Sequence, residues 1–201
     1  EILQDLKQDL SADLIVPVFF GIAEQDYGVR PLLDALVKEA PDPHITAERR
    51  GFKSEAEGDT VAQVLKTFYT PQGGRLSLVR VWQGQLNDGM TLNGVRVGGV
   101  YYLMGQQQES TQTANVGEIV AVGRLEGIQT GETLTNSNNK IRELPKADQM
   151  LPVYAMAIAP ENRQDEVKLS NALTKLLEED PSLYWEQHGD THEVILWGQG
   201  E

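Results

Sequence analysis

The sequence of 201 residues contains no cysteine, which excludes disulfide bonds and thiolate metal sites. It also has no long hydrophobic segment, since the longest apolar run, Leu14–Phe20, contains Pro17 and is far too short to cross a bilayer. No basic stretch precedes that run, so it does not have the pattern of a secretion signal. We therefore expect a cytoplasmic protein with no membrane partner.

The motifs of a phosphate-handling site are also missing. The sequence has no Gly-x4-Gly-Lys-Ser/Thr loop, in which backbone N–H groups and a lysine hold phosphates. Asn139–Arg142 reads Asn-Lys-Ile-Arg and lacks the aspartate of the guanine-binding Asn-Lys-x-Asp motif. Phosphoryl transfer needs a phosphate cradle, a magnesium ligand and a positioned water. We predict no catalytic residue, no metal site and no cofactor in this chain, and no GTP hydrolysis by it alone.

Basic residues are scarce, with 17 lysines and arginines against 30 acidic residues and a net charge of −13. Such a chain is repelled by nucleic acid unless its cations form a local patch. Its one pair of adjacent basic residues is Arg49–Arg50, which we interpret as part of a solvated linker. The histidines, at positions 44, 188 and 192, have no metal-ligand pattern and are interpreted as surface residues.

The N-terminal region has the pattern of the end of an α/β domain. An amphipathic helix ends near Leu10, and the apolar run Leu14–Phe20 predicts a buried parallel strand. A second helix is predicted from about Val29 to Ala40. In doubly wound sheets, ligands bind beyond the carboxyl ends of the strands. The loop Gly21–Tyr27 therefore lies where a nucleotide could bind.

The middle of the chain has the pattern of an all-β unit. Short apolar segments alternate with turn residues, which favours a small β-barrel. The residues between Pro41 and Asp59 are interpreted as a polar linker, and Gly105–Ala114 as a neutral loop without Lys or Arg. The predicted strands are Val61–Tyr69, Arg75–Trp82, Met90–Asn93, Gly99–Met104 and Ile119–Leu125.

The C-terminal region predicts the order strand, helix, strand, strand. Bulky residues alternate with alanines over Tyr154–Ala159, as in a strand with one small face. Leucines recur at helical spacing until Pro181 ends the helix. Two strands, Leu183–Glu186 and Glu193–Trp197, follow around a turn. This is part of a split βαβ unit. The leucines expected on the buried face are Leu169, Leu173, Leu176 and Leu177.

Several of these segments resemble elongation factor G. Leu169–Glu186, which reads LSNALTKLLEEDPSLYWE, and Gly198–Glu201, which reads GQGE, are similar to its third domain. Val79–Gly84 and Val116–Val122 are similar to its second domain. Gly28–Asp34 is similar to the helix that follows the last guanine-recognition motif of translational GTPases.

The resemblance implies a multi-domain protein. Residues 1–44 would be an α/β remnant, the C-terminal end of a GTP-binding domain. Residues 45–145 would be the all-β translation-factor barrel, and residues 146–201 a partial ferredoxin-like α+β unit. The polar segment Lys140–Met150 would be the hinge between the last two.

The resemblance also implies a guanine-base contact at Gly21, Ile22 and Ala23. Members of the family usually have serine at the position of Ile22. A backbone contact to the base could survive this change, but a hydroxyl contact could not.

By the same resemblance, the intact parent is a GTPase that binds GTP and magnesium and acts on the ribosome in translocation. Its partners would be the ribosome, ribosomal RNA and the GTPase domain that precedes this chain. Because the family usually has basic residues where this chain has Gln106–Gln112, altered RNA contact is expected. Two alternatives stay open: a non-enzymatic β-barrel module that binds a protein or an oligosaccharide, and another ribosome-associated GTPase of the ribosomal-protection or peptide-release type.

Overall fold

The computed structural model describes residues 2–53, 58–70, 74–105, 107–138 and 143–200. The chain divides into two compact units, Glu1–Ser54 and Glu55–Glu201.

The N-terminal unit consists of three helices and connecting segments. Helix α2 matches the prediction to within one residue at its end, whereas α3 lies in the segment predicted as a linker. Helix α3 begins there because the Asp42 carboxylate accepts the His44 N–H at 2.9 Å and Pro43 is suited to a first helical turn. Arg49 of this helix donates to the Ser11 carbonyl and pairs with Asp13 at 2.8 Å. The helices are α1 Ile2–Ser11, α2 Val29–Glu39 and α3 Pro43–Arg49.

The prediction of a buried strand at Leu14–Phe20 is wrong. No described residue of this unit pairs with the segment, and Val16 and Phe20 are each 86% exposed. A strand needs a neighbour for its hydrogen bonds, and the described residues around it form only one isolated bridge, Ile22 with Tyr27. The predicted buried side of α2 is also exposed, most of all at Val37.

The second unit begins with the all-β region predicted from the sequence, which we call the barrel. Its main sheet has the order β10-β1-β2-β9-β6-β7, and all of its pairings are antiparallel. The five predicted strands are present, and β3, β5, β7, β8 and β10 were missed. The strands are β1 Val61–Tyr69, β2 Arg75–Gln83, β3 Leu86–Asn87, β4 Thr91–Leu92, β5 Val95–Arg96, β6 Val100–Met104, β7 Gln107–Thr111, β8 Thr113–Ala114, β9 Ile119–Gly123 and β10 Thr133–Thr135.

A row of valines across three strands forms the centre of the barrel core. Val64 on β1 lies opposite Val79 on β2, which lies opposite Val120 on β9. All three side chains are fully buried. β-Branched side chains in directly opposed positions pack well against one another across a sheet. Burial is completed by leucines from the short strands and the loops, including Leu86, Leu92, Leu125 and Leu134.

The prediction of a loop at Gly105–Ala114 is also wrong, because most of it is the hairpin partner of β6. Strand β7 pairs with β6 from Val100 opposite Thr111 to Met104 opposite Gln107. Its side chains are mostly exposed and are neutral except for Glu109. Such a strand has no apolar alternation to detect, and its pairing depends on the apolar strand beside it.

The C-terminal part of the second unit has the predicted order of strand, helix, strand, strand. Its sheet has the order β11-β13-β12 and is antiparallel throughout. Of the predicted leucine stripe, Leu173 is buried, while Leu176 remains 38% exposed. The elements are β11 Tyr154–Ile158, α4 Glu166–Glu179, β12 Tyr184–Gln187 and β13 Val194–Gly198.

A tight turn connects α4 to β12. The Asp180 carboxylate accepts hydrogen bonds from the Ser182 N–H at 3.0 Å and the Ser182 hydroxyl at 2.7 Å. These hydrogen bonds lower the pKa of Asp180. With Pro181 between them, the turn fixes the direction in which the chain leaves the helix.

Within the described part of the chain, none of the helices has the length and apolar character that crossing a membrane requires.

We expect Leu134→Ala to lower the free energy of unfolding by about 2–5 kcal/mol, because Leu134 is fully buried in the barrel core and its truncation leaves a cavity. The matched control is Leu151→Ala, since Leu151 is 82% exposed and should change stability by less than about 0.5 kcal/mol. Urea unfolding followed by circular dichroism measures both. Equal effects of the two substitutions would contradict the burial of Leu134 in the core.

Candidate functional site

The loop predicted to contact a guanine base is closed by its own backbone. The Ile22 N–H donates to the Tyr27 carbonyl at 2.9 Å, and the Tyr27 N–H donates back to the Ile22 carbonyl at 3.1 Å. Between them, Ala23–Gln25 forms a single 3₁₀ turn, and Asp26 has a left-handed backbone with φ of 57°. The loop then enters helix α2 through Gly28.

Two glycines are required where this loop closes. Gly28 has φ of +76°, and a Cβ atom there would lie 2.5 Å from the Phe20 carbonyl oxygen. A Cβ atom at Gly21 would lie 2.7 Å from the Tyr27 carbonyl oxygen. Both positions therefore exclude side chains, because the two ends of the loop cross in backbone contact.

The structure places Gly21, Ile22 and Ala23 together on the exposed surface of this loop. The backbone N–H and C=O of Ile22 are both bonded to Tyr27, and its side chain is an apolar group that is 51% exposed. Of these three residues, the polar groups left for a base are the backbone of Gly21 and the N–H of Ala23, because the Ala23 carbonyl accepts from the Asp26 N–H at 3.1 Å. Among the described residues, no cluster of three or more acidic or histidine side chains could hold a metal ion. The base contact stays a prediction.

A second polar site, which the sequence did not indicate, lies where helix α4 meets the barrel. The Arg75 guanidinium, at the start of β2, donates through Nε to the Glu178 carboxylate at 2.8 Å. Its other nitrogens donate to the carbonyls of Leu125 and Ile128 and to the Ser77 hydroxyl. The Arg75 side chain is only 11% exposed, so these partners replace most of its hydration.

Tyr69, at the end of β1, contacts the same helix at three points. Its hydroxyl donates to Oε2 of Glu178 at 2.9 Å, the oxygen that also accepts from Arg75. Its backbone N–H donates to the Glu179 carboxylate, and the Lys175 ammonium lies 5.1 Å from the centre of its ring. We call Tyr69, Arg75, Glu178 and Glu179 the seam cluster.

Two opposing effects set the pKa of Glu178. Burial acts to raise the pKa, but the hydrogen bonds from Arg75 and Tyr69 outweigh it, so the pKa lies below its ordinary value. Burial and the bond to Glu178 raise the pKa of Tyr69. The stable state at neutral pH is therefore a Glu178 carboxylate between a guanidinium and a neutral phenol.

Two open clefts are lined by residues of both the barrel and the α+β part, and the smaller one borders the seam cluster at Arg75 and Glu178. One, of about 430 Å³, includes Thr67, Ile128, Leu177 and Trp185 in its lining. A larger one, of about 1040 Å³, lies between the β1 backbone and the turn after α4. The barrel and the α+β part are thus in direct polar contact over a limited area.

Comparison with known proteins identifies both parts of the second unit. Residues 59–137 match the family model for elongation factor G domain 2, and residues 151–201 match the model for elongation factor G, domain III. The chain belongs to the elongation factor G family. This confirms the resemblance seen in the sequence and the fold class that it implied.

Individual relatives of the elongation factor G family agree with this assignment. The chain is 61% identical over its full length to an elongation factor G-like protein of Synechocystis sp. and 35% identical over 98% of its length to elongation factor G of Fervidobacterium nodosum. It spans about 30% of the length of each. A crystal structure of a protein from Thermus thermophilus aligns with the whole chain at a TM-score of 0.79 and 32% identity, over 30% of that protein.

We expect Gly28→Ala to destabilise the N-terminal unit by about 2 kcal/mol or more, because it forces a side chain into a left-handed backbone and against the Phe20 carbonyl. Hydrogen exchange of the amides of residues 21–32 measures the effect. Gly189→Ala is the control, since nothing lies within 4 Å of a Cβ atom there. Unchanged exchange in Gly28→Ala would contradict the closed loop.

We expect Glu178→Gln to lower the free energy of unfolding by about 1 kcal/mol at pH 7, a value that allows for the partial exposure of Glu178. Because folding lowers the pKa of Glu178, its stabilisation is present above the pKa of an unfolded glutamate, about 4.3. It is lost as the pH falls through the lower pKa of the folded state.

Urea unfolding of wild type and variant between pH 7 and pH 3 tests this prediction. The difference in the free energy of unfolding should disappear at the acid end. Glu161→Gln makes the same charge change at an exposed position and is the control for the loss of one carboxylate. A difference that persisted or grew in acid would show that folding does not lower the pKa of Glu178.

Proposed function

We propose that this chain is part of an elongation factor G-like GTPase that acts on the ribosome during translocation. The observation that carries the proposal is the succession of domain 2 and domain III along the chain, matched at residues 59–137 and 151–201. The relatives that cover the whole chain bear the names elongation factor G and elongation factor G-like protein. The proposal also divides the chain into three parts. Residues 1–44 would be the end of the GTP-binding domain, residues 45–145 the second domain, and residues 146–201 part of the third.

GTP and magnesium would bind in the segment of the parent protein that precedes this chain. The residues present fit only the base end of a guanine nucleotide, through the backbone of Gly21 and Ala23 in a loop that Gly28 holds closed. Ile22 offers the base an apolar surface where the family usually has a hydroxyl group. No phosphate-binding loop is present in the sequence, so the chemistry of hydrolysis is not assigned to this chain.

The two described domains would support the GTPase by packing against it and by contacting the ribosome in the cytoplasm. Strand β7 places Gln107, Gln108 and Ser110 on the surface, with Glu109 as its single charge. Such a strand cannot neutralise phosphate, so we expect weaker or differently placed contact with ribosomal RNA than in relatives with basic residues there. Gln106, which the prediction of altered RNA contact includes, lies outside the described residues.

The absence of basic residues from strand β7 and the presence of Ile22 also favour a second candidate within the same class. A ribosome-associated GTPase of the protection or release type would share these domains but contact the ribosome differently. Both candidates require an N-terminal GTPase domain, and they differ in the step of translation that they assist. The non-enzymatic binding module, by contrast, requires neither nucleotide nor ribosome.

We expect GTP hydrolysis by the full-length protein to rise at least tenfold on addition of ribosomes, since translational GTPases position their catalytic groups on that partner. Phosphate release measured over a range of salt concentrations is the test. The isolated 201-residue chain, which lacks the phosphate loop, is the control and should show no hydrolysis and no micromolar GDP binding by calorimetry. No stimulation by ribosomes at any salt concentration would reject the proposal.

A further inference from the structure

The hydrogen-bonded contact between helix α4 of domain III and the barrel involves few side chains. Among the described residues, the side-chain hydrogen bonds that connect α4 to the barrel run from Tyr69 and Arg75 to Glu178 and Glu179. All four residues lie at the ends of their elements. The donors are at the end of β1 and the start of β2, and the acceptors are in the last turn of α4. The connection is therefore concentrated at one point.

The barrel satisfies most of the Arg75 guanidinium without domain III. Its terminal nitrogens donate to the carbonyls of Leu125 and Ile128 and to the Ser77 hydroxyl, all within the barrel. Only Nε is directed to Glu178. Separation of α4 would thus return one N–H of Arg75, the Tyr69 hydroxyl and the Tyr69 backbone N–H to water, while the Arg75 guanidinium would keep its three hydrogen-bond partners in the barrel. The contact is built so that it can be released without unfolding the barrel.

On the helix side, one oxygen connects both donors. Oε2 of Glu178 accepts from Arg75 Nε at 2.8 Å and from the Tyr69 hydroxyl at 2.9 Å. The two bonds therefore form and break together when Glu178 moves. Lys175 above the Tyr69 ring and Glu179 at its N–H belong to the same helix end, so a displacement of α4 changes all of these contacts at once.

The surroundings leave room for such a displacement. A cleft of about 430 Å³ is lined in part by Arg75 and Glu178, and a cleft of about 1040 Å³ is lined in part by residues 145–150 of the connection between the domains. The described part of the connection between the domains, residues 143–153, contains no helix or strand. Its first end is held to the barrel by the buried Leu144, and its last end is bonded to domain III through Leu151 and Val153, so the irregular stretch between them is residues 146–150. Small polar interfaces with a short irregular connection are typical of domains that change their relative orientation.

We propose that the seam cluster is a releasable latch. It holds domain III against the barrel in one orientation, and domain III becomes free to turn about the 143–153 connection when Glu178 loses its bonds to Arg75 and Tyr69. Its use in translocation rests on the proposed function, but the latch itself is a property of this chain. Its test therefore needs neither nucleotide nor ribosome.

Because the chain has no cysteine of its own, spin labels can be attached at two introduced cysteines alone. Spin labels at Gln107→Cys on β7 and Asp190→Cys in the turn before β13 report the distance between the barrel and domain III, and both positions are exposed and outside the latch. Double electron–electron resonance gives the distribution of that distance. We expect one narrow distance in the otherwise unchanged chain. Glu178→Gln should raise the population outside that peak about five- to tenfold. The substitution weakens contacts that exist only when domain III is held against the barrel, so the equilibrium shifts toward the other orientations.

Two further variants make the result decisive. Tyr69→Phe removes one hydroxyl and leaves the ring and Arg75 in place, so it should give an intermediate increase and keep the barrel folded. Glu161→Gln makes the charge change of Glu178→Gln at an exposed position before α4 and should leave the narrow peak unchanged. If Glu178→Gln disturbs folding by circular dichroism, Tyr69→Phe carries the test alone. Distance distributions in Glu178→Gln and Tyr69→Phe that match the parent would overturn the latch, as would an equal broadening in Glu161→Gln.

Discussion

One guanidinium group joins three parts of the larger unit. Arg75 begins strand β2, fixes the loop after β9 through the carbonyls of Leu125 and Ile128, and binds helix α4 through Glu178. The planar geometry of arginine makes this possible, because its donors point in fixed directions toward different acceptors. A lysine at this position would offer one ammonium group and could not span the same set. The orientation of domain III thus depends on the internal order of the barrel.

The two units differ in how completely they bury their apolar residues. The barrel closes over its row of valines and over leucines from short strands, and its core residues are almost entirely removed from water. The N-terminal unit exposes most of Leu14–Phe20 and the apolar side of α2. The sequence pattern of both segments is that of buried secondary structure, whereas the described residues of the unit leave them uncovered.

The sequence predicted those elements whose evidence is local. Strand β1 and helix α2 were found because apolar periodicity is contained within each segment. Strand β7 was missed because its side chains are polar and its pairing is provided by β6, and α3 was missed because two prolines indicated a linker. The strand predicted at Leu14–Phe20 is absent because an apolar run shows that a segment could be buried in a sheet, not that neighbouring strands are present. Of the candidate sites, the loop at Gly21 was found through a motif, but Arg75 and Glu178 are 103 positions apart and share no motif.

The turn at Asp180 gives helix α4 a mechanical role. Because the Asp180–Ser182 hydrogen bonds and Pro181 fix the exit from the helix, α4 and strand β12 are expected to turn as one body. The helix has 14 residues and is therefore about 21 Å long, with the seam cluster at one end. A rotation of domain III by about 10° would move the Glu166 end of α4 by roughly 4 Å relative to its seam-cluster end, which is about the width of one residue.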